Sequence, residues 1–326
     1  MSQGTATAAL RVTAPSRARD LRAQRVVRPD RFALWRSRRR RKDFGAFLLL
    51  AGPNIALILV FCWRPVVQNI QYSLLDWTLG NATARFVGLR NFVEFFTGEG
   101  TRVLWTTLLF TVFTVGGSMV LGLAVALALN RRLAGTTFAR SAVFAPFVLS
   151  GVGVGLVWVF IFDPTVGVLS NVMGRIGVQM PQWFLQPGPA LTMVCAVFIW
   201  KNLGYCAVIY LAGLQSIPAD VMEAAALDGA GPARRFWRMT LPLLSPVTFF
   251  LLITTVLSSL QSFDLIRIMT PLNPGTTTLM YDVYLQAFGG YNRGGYSAAL
   301  ATVLFAILAG VTLAQMRFLE RRVHYS

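Results

Sequence analysis

Lysine is nearly absent from this chain. The only two, Lys42 and Lys201, follow Arg41 and Trp200, so the Gly-Lys-[Ser/Thr] core of a P-loop cannot be assembled and no nucleotide is held in a Walker site. Histidine is scarcer still: His324 stands alone near the C-terminus, which excludes HExxH and other multi-histidine metal sites. A Ser-His-Asp triad would depend on that same residue in a short tail, so His324 reads as solvated. Three cysteines, Cys62, Cys195 and Cys206, lie inside apolar runs and read as small buried side chains, not as a disulfide framework. No internal repeat or inverted half-symmetry of the secondary-transporter kind stands out. Charge is short as well. Only 13% of residues are charged against 55% hydrophobic, about half the charge of a soluble domain. The common enzyme chemistries are thereby excluded, no cofactor or metal is expected in this chain, and lipid is the expected solvent if the apolar residues gather into long runs.

They do gather. Six runs reach the ~20 residues needed to cross ~30 Å of hydrocarbon: Phe44–Trp63, Val103–Leu129, Ser141–Phe162, Ala190–Tyr210, Leu241–Phe263 and Tyr296–Met316. Among them only the fourth contains a charge, Lys201. The runs are continuous where barrel strands would alternate, so all six read as helices. The first could pass for a signal peptide, and Ser37–Lys42 faintly resembles a twin-arginine signal. Its length and the lack of a small-residue cleavage site make it a retained helix.

An even number of spans puts both termini on one side, and positive charge chooses that side. With the termini in the cytoplasm, inner segments hold 22 Arg/Lys against seven outside, and 13 of the 22 lie before Phe44. Such a basic stretch is compatible with nucleic acid. Directly before an apolar run, anionic lipid and retention on the cytoplasmic side explain it more simply, and no nucleic-acid partner is expected. Abundant Arg and Ala with little Lys point to a GC-rich, bacterial genome. The fold class is therefore an all-α polytopic membrane protein with six transmembrane helices in the cell membrane. Close helix packing is expected at Gly151/Gly155, with Gly153 between, and at Ser118/Gly122.

Between the fourth and fifth spans the punctuation is dense. Ser216 is a candidate cap and Pro218 suits a first helical turn. Asp220 and Glu223 place acid where the helix dipole favours it. Gly229 and Gly231 offer a stop, Pro232 opens a second short helix, and Pro242 and Pro246 mark the start of the fifth span. The result is a helix–turn–helix on the cytoplasmic face. Ala224, Ala225, Ala226 and Ala230 make it smooth; Glu223 and Asp228 add acid; Arg234, Arg235 and Arg238 add base; Phe236 and Trp237 are large anchors. On these grounds alone it is either a docking surface or an amphipathic helix resting on headgroups.

The segment resembles the EAA loop of binding-protein-dependent ABC permeases, roughly EAAxxDGAxxxxxFxxIxLPxxxP. Glu223, Ala224, Ala225, Asp228, Gly229, Ala230, Phe236, Leu241, Pro242 and Pro246 match at that spacing, and Met239 stands where Ile is usual. Phe86–Phe96, Phe138–Pro146 and Gly295, Tyr296 and Ala298 resemble further parts of the carbohydrate group, which includes maltose- and glycerol-3-phosphate-type permeases. The resemblance implies a type I importer permease domain over about 101–316, with a coupling loop at 217–242. Before it lie a basic tail at 1–43 and the first helix with its outer loop at 44–100; a cytoplasmic tail at 317–326 follows. It also implies a second homologous permease chain, two ATPase subunits that carry ATP and Mg, and an extracytoplasmic solute-binding protein. The loop helix would dock in an ATPase cleft, with Glu223 paired to a basic group and Gly229 at a sharp bend. One departure is Thr270–Pro274, TPLNP, where the group carries a Gly-rich TGGGP turn; the shape of that outer loop is not carried over.

Polar groups at membrane depth mark pathways or helix contacts. The fourth span has Lys201, Asn202 and Tyr205; the fifth has Ser258, Ser259 and Gln261, with Asp264 just beyond. Trp200, Tyr205 and Phe263 offer aromatic faces for a sugar. Trp200, Asn202, Tyr205, Ser258, Gln261 and Phe263 are thus candidate pathway residues, a region that the resemblance also implies. The alternatives are snorkelling or inter-subunit pairing for Lys201 and self-bonding for the serines. At the level of function the rivals are an ion-coupled secondary transporter, which would need mid-span carboxylates not found here, and a non-transporting membrane scaffold.

Overall fold

The computed structural model describes residues 38–130, 135–178, 180–271 and 273–319. The basic stretch before Arg38, Arg131 and Arg132, and the C-terminal residues Arg321, Arg322 and His324 lie outside the described residues. The chain divides into two units, Met1–Arg64 and Pro65–Ser326. In the first, helix α1 (Arg38–Leu57) leads into a π-helical stretch, Ile58–Trp63, where the Arg64 N–H reaches back to the Leu59 carbonyl. Helix α2 (Arg64–Ser73) carries the chain into the second unit.

There the order is strand β1 (Leu75–Asp76), strand β2 (Arg85–Phe86), helix α3 (Arg90–Thr97), α4 (Gly100–Leu129), α5 (Thr136–Val148), α6 (Gly151–Phe162), α7 (Val168–Arg175) and α8 (Pro187–Ser216). Then come α9 (Ala219–Leu227), α10 (Pro232–Arg235), α11 (Leu241–Leu243), α12 (Ser245–Leu260), α13 (Asp264–Met269), α14 (Leu279–Phe288) and α15 (Gly294–Leu319). Among the described residues, five helical stretches are long and apolar enough to cross a membrane: Phe47–Ser73, Gly100–Leu129, Pro187–Ser216, Ser245–Met269 and Gly294–Arg317. The sixth expected span is not one straight helix. It is the pair α5 and α6, bent by 98°. Leu149 and Ser150 adopt extended backbone at the break. Pro146 has no N–H to give the ladder, and three glycines at 151, 153 and 155 weaken its continuation.

Missing side-chain bulk sets the packing. The long helices α4 and α8 lie against each other where a Cβ on Gly117 would sit 2.5 Å from Ile199 Cδ1, and one on Gly122 would sit 2.5 Å from Cys206 Cβ. A Cβ on Gly204 would collide with the Val143 carbonyl, which seats α5 against another part of α8. Gly151 and Gly155 give α6 the same closeness to Asp264 and Ile268 of α13. The spacing of small residues thus reports real helix contacts. Across α4 and α12, Thr114 Oγ1 and Ser259 Oγ share a buried 2.8 Å hydrogen bond, worth about 0.6 kcal/mol between spanning helices. Thr107 Oγ1 accepts from the Leu279 N–H (2.8 Å), pinning the start of α14 to α4.

Side-chain hydrogen bonds tie the chain between α13 and α14. Asn273 donates through Nδ2 to the Phe184 carbonyl (2.9 Å) and accepts from the Gly275 N–H (2.8 Å). Thr270 and Thr276 share a buried hydroxyl bond of 2.8 Å. Elsewhere in this unit, Glu94 of α3 bridges Arg293 at 2.6 Å, and Arg293 lies 4.2 Å above the Tyr296 ring. Asp282 is buried and accepts from Gln286 Nε2 (3.1 Å).

Gly122→Leu is expected to destabilise the detergent-solubilised protein by about 1–3 kcal/mol through overpacking, whereas Gly116→Ala, which meets open space, should leave the thermal midpoint unchanged; equal midpoints for both would contradict this packing. Asp282 supplies a second prediction. Burial pushes its carboxyl above the usual carboxylate range, against the opposing effects of Gln286 and Arg293. The stabilisation linked to its proton is complete in acid and is lost as pH rises through the raised value. Asp282→Asn should therefore raise the thermal midpoint at pH 7 and flatten its dependence on pH; a lower midpoint at pH 7 would mean that pairing with Arg293 outweighs burial.

Candidate coupling face and translocation cleft

The loop between α8 and α12 is built by local rules. Ser216 does not cap the next helix. The fourth span runs beyond Tyr210 to Ser216, whose hydroxyl donates back to the Gly213 carbonyl (2.8 Å), the habit of a serine in a last helical turn. Ile217 turns extended ahead of Pro218, and Pro218 is the N-cap residue of α9. Asp220 lies in the first turn. At the other end the Gly229 N–H bonds the Ala226 carbonyl (3.1 Å) and the Ala230 N–H bonds the Ala225 carbonyl (3.0 Å). Together with φ +75° at Gly229, this is a Schellman stop. Gly231 is the N-cap residue of α10 and Pro232 its first residue. A π-helical stretch, Phe236–Thr240, then leads into α11, where Pro242 lies in the first turn.

Almost all of α9 is uncovered. Ala225 is 2% exposed and faces inward; Met222 is half-buried, while Glu223, Ala224, Ala226 and Asp228 are exposed. Leu227 is 89% exposed and Trp237 66%. Ala230 and Arg235 are half-buried, and Arg234 and Pro242 are exposed. Phe236 is half-buried and meets the Trp237 ring edge-on at 5.3 Å. Such a surface presents apolar anchors beside separated acid and base, the composition of a protein interface more than of a solvated helix.

Four of the six predicted pathway residues converge. Asn202, Ser258, Gln261 and Phe263 line one cleft of about 280 Å³, together with Gly151, Phe198, Lys201, Ser262, Asp264 and Leu265. Trp200 and Tyr205 turn elsewhere. Trp200 lies roughly 200° around α8 from Asn202; it meets Trp158 edge-on at 5.3 Å and lines a separate apolar pocket of about 380 Å³. Tyr205 stacks on Phe147 at 4.8 Å. Outward from the cleft, Phe263 meets Tyr284 at 4.8 Å, and the Arg267 guanidinium lies 4.7 Å above the Tyr284 ring and 5.6 Å above Phe263. In the sequence, Lys201 and Asp264 read only as polar groups in or near spans, and Gly151 only as a packing residue. Their meeting in one cleft follows from helix packing across the bend in the third span, which Pro146 and the glycines permit without announcing it.

The sequence pattern of the family described as "Binding-protein-dependent transport system inner membrane component" matches residues 118–325. The chain is similar to the sn-glycerol-3-phosphate transport system permease protein UgpA of Agrobacterium fabrum (strain C58), with 37% identity over 281 residues, 85% of this chain and 95% of that protein. It is similar also to the protein of the same name from Yersinia pestis, at 34% identity over 281 residues with the same coverage. Among solved structures, the crystal structure of a bacterial ABC transporter involved in the import of the acidic polysaccharide alginate contains a chain that matches with a TM-score of 0.74. That match covers 87% of this chain and 99% of the other at 24% identity, and is a likeness of fold.

Gly229→Ala forces a side chain into left-handed backbone at a cost of about 1–2 kcal/mol, so amide exchange across Ala219–Leu227 should quicken by roughly 5- to 30-fold. Gly231→Ala, at φ −62°, should leave exchange unchanged. Equal rates in the two variants would overturn the assignment of the stop to Gly229.

Proposed function

Because this chain belongs to the family of binding-protein-dependent transport system inner membrane components, it is a permease subunit of an ABC importer, and we propose that its cargo is a sugar or sugar-like solute of the oligosaccharide, monosaccharide or glycerol-3-phosphate type. The chain is not an enzyme; it provides a path, and the energy comes from partners. In this reading it sits in a bacterial inner membrane with the α8–α12 loop in the cytoplasm. It pairs with a homologous permease, two ATPase copies that hold ATP and Mg, and a solute-binding protein outside.

One observation supports the coupling role above others. The loop and the cleft share the same two helices. Lys201 and Asn202 stand on α8 and Ser258 on α12, with Gln261 just past its end, and the loop that carries α9, α10 and α11 joins the other ends of both. From Ser216 to Asn202 is ~21 Å of helix, and from Ser245 to Ser258 is ~20 Å. A displacement of α9 by a closing ATPase pair would therefore arrive at the cleft walls through two stiff rods, the rigid-body kind of switch. Glu223 and Asp228 offer the partner acid, Leu227 and Trp237 offer anchors, and the Gly229 stop fixes the angle between α9 and α10. In the cleft, the amides of Asn202 and Gln261 and the hydroxyls of Ser258 and Ser262 suit a polyhydroxylated solute, with Phe263 as its aromatic face.

The test is uptake by vesicles holding the assembled transporter, with radiolabelled sn-glycerol-3-phosphate and a neutral disaccharide offered side by side. Accumulation of one of them should need ATP and the partner subunits; uptake driven by an ion gradient alone would refute the reading. Glu223→Arg should insert normally and lose uptake by roughly 30-fold, the size of a 2 kcal/mol interface anchor. Unchanged uptake and ATPase stimulation would remove α9 from the coupling role.

A further inference from the structure

The bend in the third span leaves two helix ends inside the membrane-spanning region. The α5 end has carbonyls with no following turn to receive, and α6 begins at Gly151 without any side-chain cap, Ser150 included. In hydrocarbon such groups are costly unless the protein satisfies them. One charge stands at each end. Lys201 donates from Nζ to the Phe147 carbonyl at 2.8 Å, with the ammonium 5.5 Å from the centroid of the Phe147 ring. At least one of its three donors is thus committed within this chain. At the other end, the Oδ2 of Asp264 lies 3.0 Å from where a Cβ of Gly151 would be; only glycine there lets the carboxylate so close to the start of α6. The signs agree with the dipoles, a cation at a C-terminus and an anion at an N-terminus. The two groups also line the same cleft and lie within electrostatic reach of each other.

We propose that Lys201 and Asp264 are positioning residues that hold the elbow of the third span, each closing one of its two helix ends, and so fix the wall of the translocation cleft. Neither group needs to touch the solute to do this. The elbow is held from α8 on one side and α13 on the other, so any shift between those helices during transport is passed to it. Gly151 is part of the device: a side chain there would expel the carboxylate.

The experiment measures the elbow directly and without solute, so its outcome is separable from that of the cargo assignment. Spin labels go on Phe138→Cys in α5 and Leu156→Cys in α6, both exposed, with Cys62, the exposed native thiol, replaced by serine. The assembled transporter in lipid nanodiscs should give one narrow distance distribution. Lys201→Met should broaden it and shift it to longer distances as the elbow opens, while Lys201→Arg, which keeps a charged donor, should restore it. A Lys201→Met distribution identical to wild type would overturn the proposal, as would equal broadening by Lys201→Arg. Should Lys201→Met fail to assemble, Asp264→Asn with the same labels decides: a shift supports the clamp and an unchanged distribution rejects it.

Discussion

Hydrocarbon offers no hydrogen bonds, so every backbone group at membrane depth must find its partner within the protein. Long helices such as α4 and α8 meet that demand by themselves, and most of the architecture follows from packing them. The third span does not meet it by itself. Its break exposes main-chain groups that only neighbouring elements can satisfy, which makes α8 and α13 obligatory partners of α5 and α6. The close contacts at Gly151, Gly155 and Gly204 are the steric counterpart of that obligation: the backbones must approach before a charge can reach across.

The same economy governs the polar groups on the other helices. Thr114 and Ser259 satisfy each other across α4 and α12, and Thr107 takes the first free N–H of α14. These bonds are weak singly, but each fixes the rotation of one helix against another where apolar contacts alone would allow slippage. Rotation decides which side chains reach the cleft. Asn202 faces it and Trp200 does not, because two residues along a helix are about 200° apart. A rigid frame of this kind is also what allows a push on α9 to be felt ~20 Å away and not absorbed on the way.

Much of this was legible in the residues. Six apolar runs give the helices, and the Gly229 stop is implied by one glycine placed after an acidic, alanine-rich turn. The α8–α12 loop could be read to its last proline because its signals are local. The features that escaped are non-local. Ser141–Phe162 reads as an ordinary span, since an apolar run looks the same whether straight or bent, and proline, serine and glycine such as Pro146, Ser150 and Gly151 are tolerated in straight spans too. Ser216 failed as a cap because α8 continues past its apolar stretch, and amphipathic turns do not register as membrane helix. The TPLNP segment carries no glycine-rich signal, and the bonds of Asn273 and the Thr270–Thr276 pair that hold it are not announced by the residues around them. Neither long-range partner, Phe184 nor Phe147, is visible from the residue it serves.

A lone lysine inside a span invites the reading that it waits for an anionic solute. The geometry points the other way. An ammonium already bound to a main-chain carbonyl and facing an aromatic ring has given up part of its capacity, and withdrawing it would take that partner from the Phe147 carbonyl. Asp264 in the same cleft offsets the formal charge of Lys201, which weakens its pull on an ionised solute. Beside that charged pair the cleft presents amides and hydroxyls, with Phe198 and Phe263 as its aromatic rings. An ionised cargo would therefore have to be met by a group other than Lys201, and Arg267, above the Phe263 ring, is a cation on this chain placed beside the cleft.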